Sequence, residues 1–190
     1  MIGFSVCACL TASLGEAGKS PANCGSLSGS KGRRALSTPF RLRLPRRLYD
    51  DMVRHAVQEF PNECCGLLAG RIKTDAQGES IATVEERFPL VNELASPVEF
   101  TSEPRSMFEA VRSMDRRGLA TLAVYHSHPT SDAIPSNKDL ERSYDAGVMN
   151  LIVSLNTGTP RVDAWWLVGA RYEKAPWELV EDDGAATASN

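Results

Sequence analysis

Hydrophobic and polar positions follow two different periods along this chain, and together the periods predict strands interleaved with helices. Apolar residues between Leu48 and Phe60 recur at helical spacing, which predicts an amphipathic helix over 46–60. Runs that alternate or are apolar throughout predict strands over 40–45, 63–71, 80–90, 98–101, 119–125, 148–155, 161–168 and 171–180. The first strand ends at a proline and is predicted to lie at a sheet edge. The order of the elements predicts an α/β fold.

Two further helices are predicted from their start and stop signals. Glu103-Pro104 begins one helix, and Arg116-Arg117-Gly118 ends it with a cationic last turn and a glycine. A third helix is expected from Ser136 through Tyr144. Four side chains are predicted to form the core-facing stripe of the second helix: Met107, Phe108, Val111 and Met114. In the 161–168 strand, Trp165 and Trp166 must point to opposite faces, one in the core and the other partly exposed.

The length of 190 residues and the 42% hydrophobic content suffice for one ordinary core. We expect one domain over 41–180 and an acidic disordered tail over 181–190. Residues 1–40 show no sustained period and are expected to be a disordered extension, a transit peptide or residues upstream of the native start. They lack the basic start of a secretory signal. The sequence contains no run of about eighteen apolar residues, so no membrane span is predicted.

Charge and cysteine content change the picture in two respects. Residues 1–47 hold eight basic side chains and one acidic one, a balance of +7, so the remainder carries −10 to give the net −3. The basic segment has few aromatic residues for stacking on bases, which argues against nucleic-acid binding. The five cysteines form no paired C-x-x-C motif, and this pattern indicates a reducing, cytoplasmic protein.

The chemistry is expected where the 119–125 strand ends. His126 and His128 are two positions apart, so both side chains face the same side of the strand. Ser136 is predicted to cap the third helix, which places Asp139 in its first turn. Each feature alone has a structural interpretation, a turn or a capping box. Together, two imidazoles and a carboxylate form a three-ligand set, which with a water is the catalytic zinc arrangement.

These residues also carry a family resemblance. His126-Ser127-His128-Pro129 followed by Ser136-x-x-Asp139 resembles the motif of the JAMM (MPN+) metalloproteases, and 61–70, which includes Glu63-Cys64-Cys65-Gly66-Leu67, resembles their upstream glutamate segment. The likeness extends from about residue 42 to about residue 177. It implies a mixed, curved sheet with a long helix on each side, as in cytidine deaminases.

The resemblance further implies the role of each site residue. Zn²⁺ would be held by His126, His128 and Asp139, with Glu63 as the general base and Ser136 donating to the developing oxyanion. The substrate would be an amide bond at the C-terminus of a ubiquitin-like or sulfur-carrier protein, as in compact bacterial members.

Two other functions remain open at this stage. The first is a non-catalytic MPN scaffold, although such proteins lose site residues that are all present here. The second is a zinc nucleobase deaminase, which requires H-x-E and P-C-x-x-C motifs that do not occur. Ser127 is expected to be structural, Cys64 and Cys65 to pack as small apolar residues, and His55 to be a solvated residue without a function.

Overall fold

The computed structural model describes residues 39–143 and 145–182. The predictions for residues 1–38, for Tyr144 and for 183–190 therefore lie outside the described residues. The elements follow in the order β1 Arg41–Pro45, α1 Arg46–Glu59, β2 Cys65–Thr74, β3 Ser80–Leu90, α2 Pro104–Arg117, β4 Ala120–His128, α3 Asn137–Glu141, β5 Met149–Ser154, β6 Arg161–Val168, β7 Arg171–Lys174 and β8 Trp177–Val180.

All the strands of the described residues belong to one mixed sheet, in the order β7-β6-β5-β4-β2-β3-β1-β8. The pairs β1–β3, β1–β8 and β4–β5 are parallel, and the other pairs are antiparallel. The α/β class and the mixed sheet are thus confirmed. The strand β4, which carries His126 and His128, lies in the middle of the sheet between β2 and β5.

The sheet is strongly curved. Strands β7 and β8 occupy its two ends, yet only Ala175 and Pro176 connect them. Three residue steps span at most about 11 Å, so the two ends of the sheet must lie close together. Phe40, which precedes β1, packs its ring edge against Trp166 of β6 with centroids 5.0 Å apart. The sheet therefore closes around an apolar interior.

The two long helices lie on opposite faces of the sheet, as predicted. On one face, α1 buries Leu48, Met52 and Ala56 in the largest apolar cluster, which includes Leu68 of β2. On the other face, α2 buries Ala110 and Met114 against Cys65, Leu67 and Ala69 of β2. Because side chains alternate along a strand, β2 separates the two cores. No helix in the described part of the chain combines the length and apolar character needed to cross a membrane.

Several local predictions are confirmed. The helix α1 begins at Arg46 and ends one residue before the predicted end, and β3 has the predicted limits. The helix α2 begins with Pro104, has Arg116 and Arg117 in its last turn, and ends at Gly118 in the left-handed conformation. That conformation is one in which glycine has no steric penalty.

Other predictions are wrong because they depend on distant partners. The strand β1 is not an edge strand, because β8 pairs along its other side and the Leu42 N–H donates to the Pro176 carbonyl. The 171–180 segment forms two strands at opposite ends of the sheet. Residues 98–101 form no strand, since they belong to a loop closed by an isolated bridge between Asn92 and Ser102.

The remaining errors concern element ends and burial. The strand β2 begins at Cys65, two residues after Glu63, and α3 ends at Glu141. Phe108 and Val111 of the predicted α2 stripe are exposed. Trp165 and Trp166 are both buried, at 7% and 2% exposure. Trp165 is buried because it packs in a third apolar cluster with Ala133 and Ile152.

Candidate metal centre

Two buried imidazoles lie on one face of the central strand. His126 and His128 are two positions apart at the end of β4, and they are 1% and 5% exposed. Their Nε2 atoms approach each other to 3.2 Å. Burying a polar ring without a hydrogen-bond partner is costly, so two buried imidazoles in contact are expected to share a polar partner.

The partner is Asp139 in the first turn of α3. Its two carboxylate oxygens lie 3.3 Å from His126 Nε2 and 3.5 Å from His128 Nε2. The predicted capping box is present: the Ser136 N–H donates to Asp139 Oδ2 at 2.7 Å, and Ser136 Oγ accepts from the Asp139 N–H at 3.3 Å. The cap therefore aims the carboxylate at the imidazoles.

The separations between these atoms fit a metal ion. Bonds of about 2.0–2.1 Å at tetrahedral angles place neighbouring ligand atoms about 3.3 Å apart. The two Nε2 atoms are 3.2 Å apart, and each lies 3.3 or 3.5 Å from the Asp139 oxygen on its side. One candidate ligand atom from each of the three residues lies within 4.8 Å of the others. Three protein ligands leave a tetrahedral ion one further position. The residues present thus fit a catalytic rather than a structural site.

Second contacts orient the two rings. The Nδ1 atom of His128 is 2.8 Å from the Asp132 carbonyl, to which it donates when protonated, and this tautomer leaves Nε2 with a free lone pair for a metal. The Nδ1 atom of His126 is buried and has no hydrogen-bond partner among the described residues. The Phe100 ring lies against the His126 ring instead, with centroids 4.9 Å apart.

The electrostatics of the group favour a cation. Burial alone acts to raise the pKa of Asp139, but hydrogen bonds and charge from His126 and His128 outweigh it and hold that pKa well below its ordinary value. Burial likewise acts to lower the pKa of His128, whereas the bond to Asp139 raises it overall. The ionised Asp139 carboxylate therefore stabilises a positive charge next to it.

Glu63 is buried next to this group, in the short connection between α1 and β2. Burial raises the pKa of its carboxyl, and the charges of His126 and His128 oppose that rise. Glu63 therefore lies close enough to the three predicted ligands for their charges to affect its pKa. It is not a member of the ligand group itself. Such a carboxyl can hold a proton more readily than an exposed one.

The hydroxyl of Ser136 is exposed at the start of α3. It accepts from the Asp139 N–H, and this bond uses a lone pair and leaves the hydroxyl proton free to donate elsewhere. The capping role and the predicted catalytic role are therefore compatible. Ser127 faces away from the predicted ligands, as expected, and its Oγ accepts from the Cys64 N–H at 2.8 Å.

The two cysteines beside Glu63 are not part of the group. Cys64 and Cys65 are buried in the apolar clusters on opposite faces of the sheet. Burial raises the pKa of Cys64 to about 11 and that of Cys65 to about 12, so both thiols remain protonated near neutral pH. They pack as small apolar side chains, as predicted.

The interpretation of His55 as a solvated residue is wrong. Its side chain is 12% exposed, and its Nδ1 atom is 2.9 Å from the Tyr125 hydroxyl. Burial, and then the charge of Arg87, lower the pKa of His55 to about 4. The sequence pattern missed this because Tyr125 is distant in the sequence and approaches α1 only across the sheet.

The sequence pattern did not reveal that Asn92, Phe100 and Trp165 contact residues in or beside the site. The Trp165 indole N–H donates to the Ala133 carbonyl at 2.9 Å and so anchors the loop between His128 and Ser136. Each of the three residues contacts a segment that is far away along the chain.

Comparison with known proteins identifies the family. The family described as prokaryotic homologs of the JAB domain matches residues 45–168, which include every predicted site residue. This chain belongs to that family. The predicted relationship to the JAMM/MPN proteins is confirmed.

Relatives of this JAB-family chain include named enzymes. A probable TtuB-protein conjugate cleaving protease of Thermus thermophilus is 35% identical over 103 residues, 54% of this chain and 63% of that protein. A CysO-cysteine peptidase of Mycobacterium tuberculosis is 28% identical over 140 residues, 74% and 82% of the two chains. A desampylase of Haloferax volcanii is 34% identical over 122 residues, 62% of this chain and 83% of that protein.

A solved structure supports the JAB fold. The solution structure of a Desulfitobacterium hafniense protein superposes with a TM-score of 0.64 at 32% identity, and covers 74% of this chain and 94% of that one.

Proposed function

We propose that this protein is a zinc-dependent peptidase that hydrolyses an amide bond at the C-terminus of a ubiquitin-like or sulfur-carrier protein. The observation that carries the proposal is the group formed by the buried His126 and His128 and the partly buried Asp139, with the buried Glu63 beside it. The catalytic domain is proposed to extend over 41–180, which contains the family match.

Each residue of the group has a separate role in the proposed reaction. When bound, a Zn²⁺ ion would supply Lewis-acid chemistry, which polarises a carbonyl and lowers the pKa of a water molecule from about 16 towards about 7. His126 and His128 would hold the ion as neutral imidazoles, and Asp139 would add one negative charge. Glu63 takes a proton from the attacking water and passes it to the leaving amine, acting first as base and then as acid.

Burial of Glu63 supports this assignment. A carboxyl with a raised pKa gives up its proton less readily than an exposed one, so it can carry a proton between two steps. Ser136 is proposed to donate its hydroxyl proton to the substrate oxygen that gains negative charge. Its exposed position beside Asp139 leaves it accessible to a bound substrate.

The relatives support the substrate class. Three of them are a conjugate cleaving protease, a CysO-cysteine peptidase and a desampylase. A protein conjugate or a cysteine adduct of a small carrier protein is therefore the substrate to test first.

The test combines metal analysis with a cleavage assay. We expect about one zinc per chain in the wild type and a large loss of metal in Asp139→Ala and His128→Ala, because two ligands hold an ion poorly. Unchanged metal content in His128→Ala would remove this residue from the ligand set. Absence of metal from the wild type, purified without chelator, would favour a non-catalytic scaffold.

The matched variant is Glu63→Gln, which keeps the shape of the side chain. We expect it to retain zinc and to lose hydrolysis of a carrier protein bearing a C-terminal cysteine or an isopeptide-linked lysine. Full turnover by this variant would contradict the assignment of Glu63 as the base.

A further inference from the structure

We propose that Asn92 is a positioning residue for Glu63. Asn92 lies in the connection between β3 and α2, here called the 91–103 loop. The inference rests on the proposed function, because Asn92 touches no substrate and acts only through Glu63.

The Asn92 side-chain amide is the centre of the loop. Its Nδ2 atom donates to the Glu63 carbonyl at 3.0 Å and to the Glu99 carbonyl at 3.3 Å. Its Oδ1 atom accepts from the N–H groups of Leu94 at 3.1 Å and Thr101 at 3.0 Å. One side chain thus joins both halves of the loop to the backbone of the predicted base.

The sheet itself does not hold Glu63. Residue pairing in β2 begins at Cys65, so Glu63 lies outside the strand ladder. Its N–H donates to the Ser96 carbonyl at 2.8 Å, and its carbonyl accepts from Asn92. Both backbone groups of Glu63 are therefore fixed by the 91–103 loop.

The same loop is attached to the predicted metal ligands. Glu99 pairs with Lys138 and Arg142 at 3.1 Å each, and Arg142 donates to the Phe100 carbonyl at 3.0 Å. Lys138 precedes Asp139 on α3, and the Phe100 ring lies against His126. The loop therefore sets the position of Glu63 relative to the metal ligands.

The base of the loop has its own hydrogen bonds. The Glu103 N–H donates to the Val91 carbonyl at 2.8 Å, and the Glu93 N–H donates to the Thr101 carbonyl at 2.9 Å. Ser106 Oγ of α2 accepts from the Val91 N–H and donates to the Glu103 carbonyl. Because these bonds do not involve the Asn92 side chain, its loss should shift the tip of the loop without opening the base.

The experiment compares Asn92→Asp and Asn92→Ala with the control Ser106→Ala in the full-length, metal-loaded protein. Asp keeps an oxygen for the Leu94 and Thr101 N–H groups but cannot donate to the Glu63 carbonyl. The control removes bonds at the base of the loop, on the side that does not contact Glu63. The readouts are kcat, KM, zinc content, and amide hydrogen exchange of Glu63 by NMR.

We expect both Asn92 variants to retain zinc and KM while kcat falls about ten- to a hundredfold, because a small misplacement of a catalytic group is costly. We expect the Glu63 amide to exchange about tenfold faster or more in both variants. Ser106→Ala should stay near the wild type in kcat and in Glu63 exchange.

Two results would overturn the inference. One is an unchanged kcat in Asn92→Asp with an unchanged exchange rate at Glu63. The other is a purely structural effect, in which Asn92 variants lose melting temperature but keep kcat per folded molecule. Full turnover by Glu63→Gln would instead refute the proposed function, and the Glu63 exchange rate would still decide whether Asn92 fixes this residue.

Discussion

At the residue scale, Asp139 combines a structural and a chemical task in one carboxylate. One oxygen accepts from the Ser136 N–H and lies near His128, while the other lies near His126. A capping box normally stabilises only the start of a helix. Here the same hydrogen bonds orient a candidate metal ligand, so the helix start and the site form together.

Ser136 can be tested with two variants that both lack the hydroxyl. We expect Ser136→Gly and Ser136→Ala to lower kcat about 10²- to 10³-fold with near-normal zinc content, because one donor to the developing charge is lost. Glycine is tolerated at a helix N-cap to within a few tenths of a kcal/mol, whereas alanine costs about 1 kcal/mol. The measurements are kcat, zinc content and urea unfolding.

Equal losses of kcat in the two variants would indicate a chemical role for the hydroxyl. A loss confined to the less stable alanine variant would contradict that role and assign the effect to the cap.

His55 makes the stability of the protein depend on pH. Its folded pKa of about 4 lies below the ordinary 6.5, so the unfolded chain binds more protons between these values. Stability contributed by neutral His55 is therefore full above pH 6.5 and is lost as pH falls towards 4, by up to roughly 3 kcal/mol. The charged or titratable groups facing it are Arg87, Tyr125 and Glu59.

The comparison variant is His55→Gln, which cannot titrate but can still bond to the Tyr125 hydroxyl. We expect urea unfolding to show a smaller loss of stability in this variant than in the wild type across that pH range. Identical pH dependence of the two proteins would exclude His55 as the cause.

At the element scale, the residue just before β2 is hydrogen-bonded to β4 beside the site. The Cys64 N–H donates to Ser127 Oγ, and the Ser127 N–H donates to the Cys64 carbonyl at 3.1 Å. These bonds tie the residue after Glu63 to the residue between the two histidines. Further along the β2–β4 pair, Gly66 lies opposite Tyr125.

Gly66 leaves room for the Tyr125 ring. A Cβ atom at Gly66 would collide with that ring, which is fully buried and cannot move aside. We expect Gly66→Ala to lower the free energy of unfolding by about 1–3 kcal/mol through overpacking, measured by urea denaturation. Gly147→Ala is the control, because its nearest neighbour is an exposed Asp145 side chain at 3.2 Å. Equal effects of the two substitutions would contradict this explanation.

At the scale of the whole molecule, closure of the curved sheet supports the interior that faces α1. Phe40, which precedes β1, meets Trp166 of β6 although β1 and β6 are far apart in the sheet order. Phe40 is 4% exposed, whereas Phe108 on α2 is 64% exposed. The two phenylalanines therefore separate the effect of closure from that of losing an aromatic side chain.

We expect Phe40→Ala to lower the free energy of unfolding by about 3–5 kcal/mol, because it empties a buried site between two ends of the sheet. Phe108→Ala should change it by no more than about 0.5 kcal/mol. Denaturant unfolding of both variants checks this. A small effect at Phe40 would show that the contact with Trp166 contributes little.

Features that depend on neighbours along the chain could be predicted from the amino-acid sequence alone. Helical spacing, the Pro104 start and the Gly118 end predicted α1 and α2, and the alternation of β4 placed His126 and His128 on one face. The capping pattern predicted the turn that carries Asp139. Periodicity and capping act over a few residues, so a single sequence contains them.

Features that join distant segments became visible only in the folded chain. The fold placed β1 between β3 and β8, split 171–180 between the two ends of the sheet, and buried His55 against Tyr125. It also brought Asn92 to the backbone of Glu63. Strand neighbours and loop contacts are chosen by the burial and hydrogen bonding of the whole chain, and no local pattern records which segment will supply the partner.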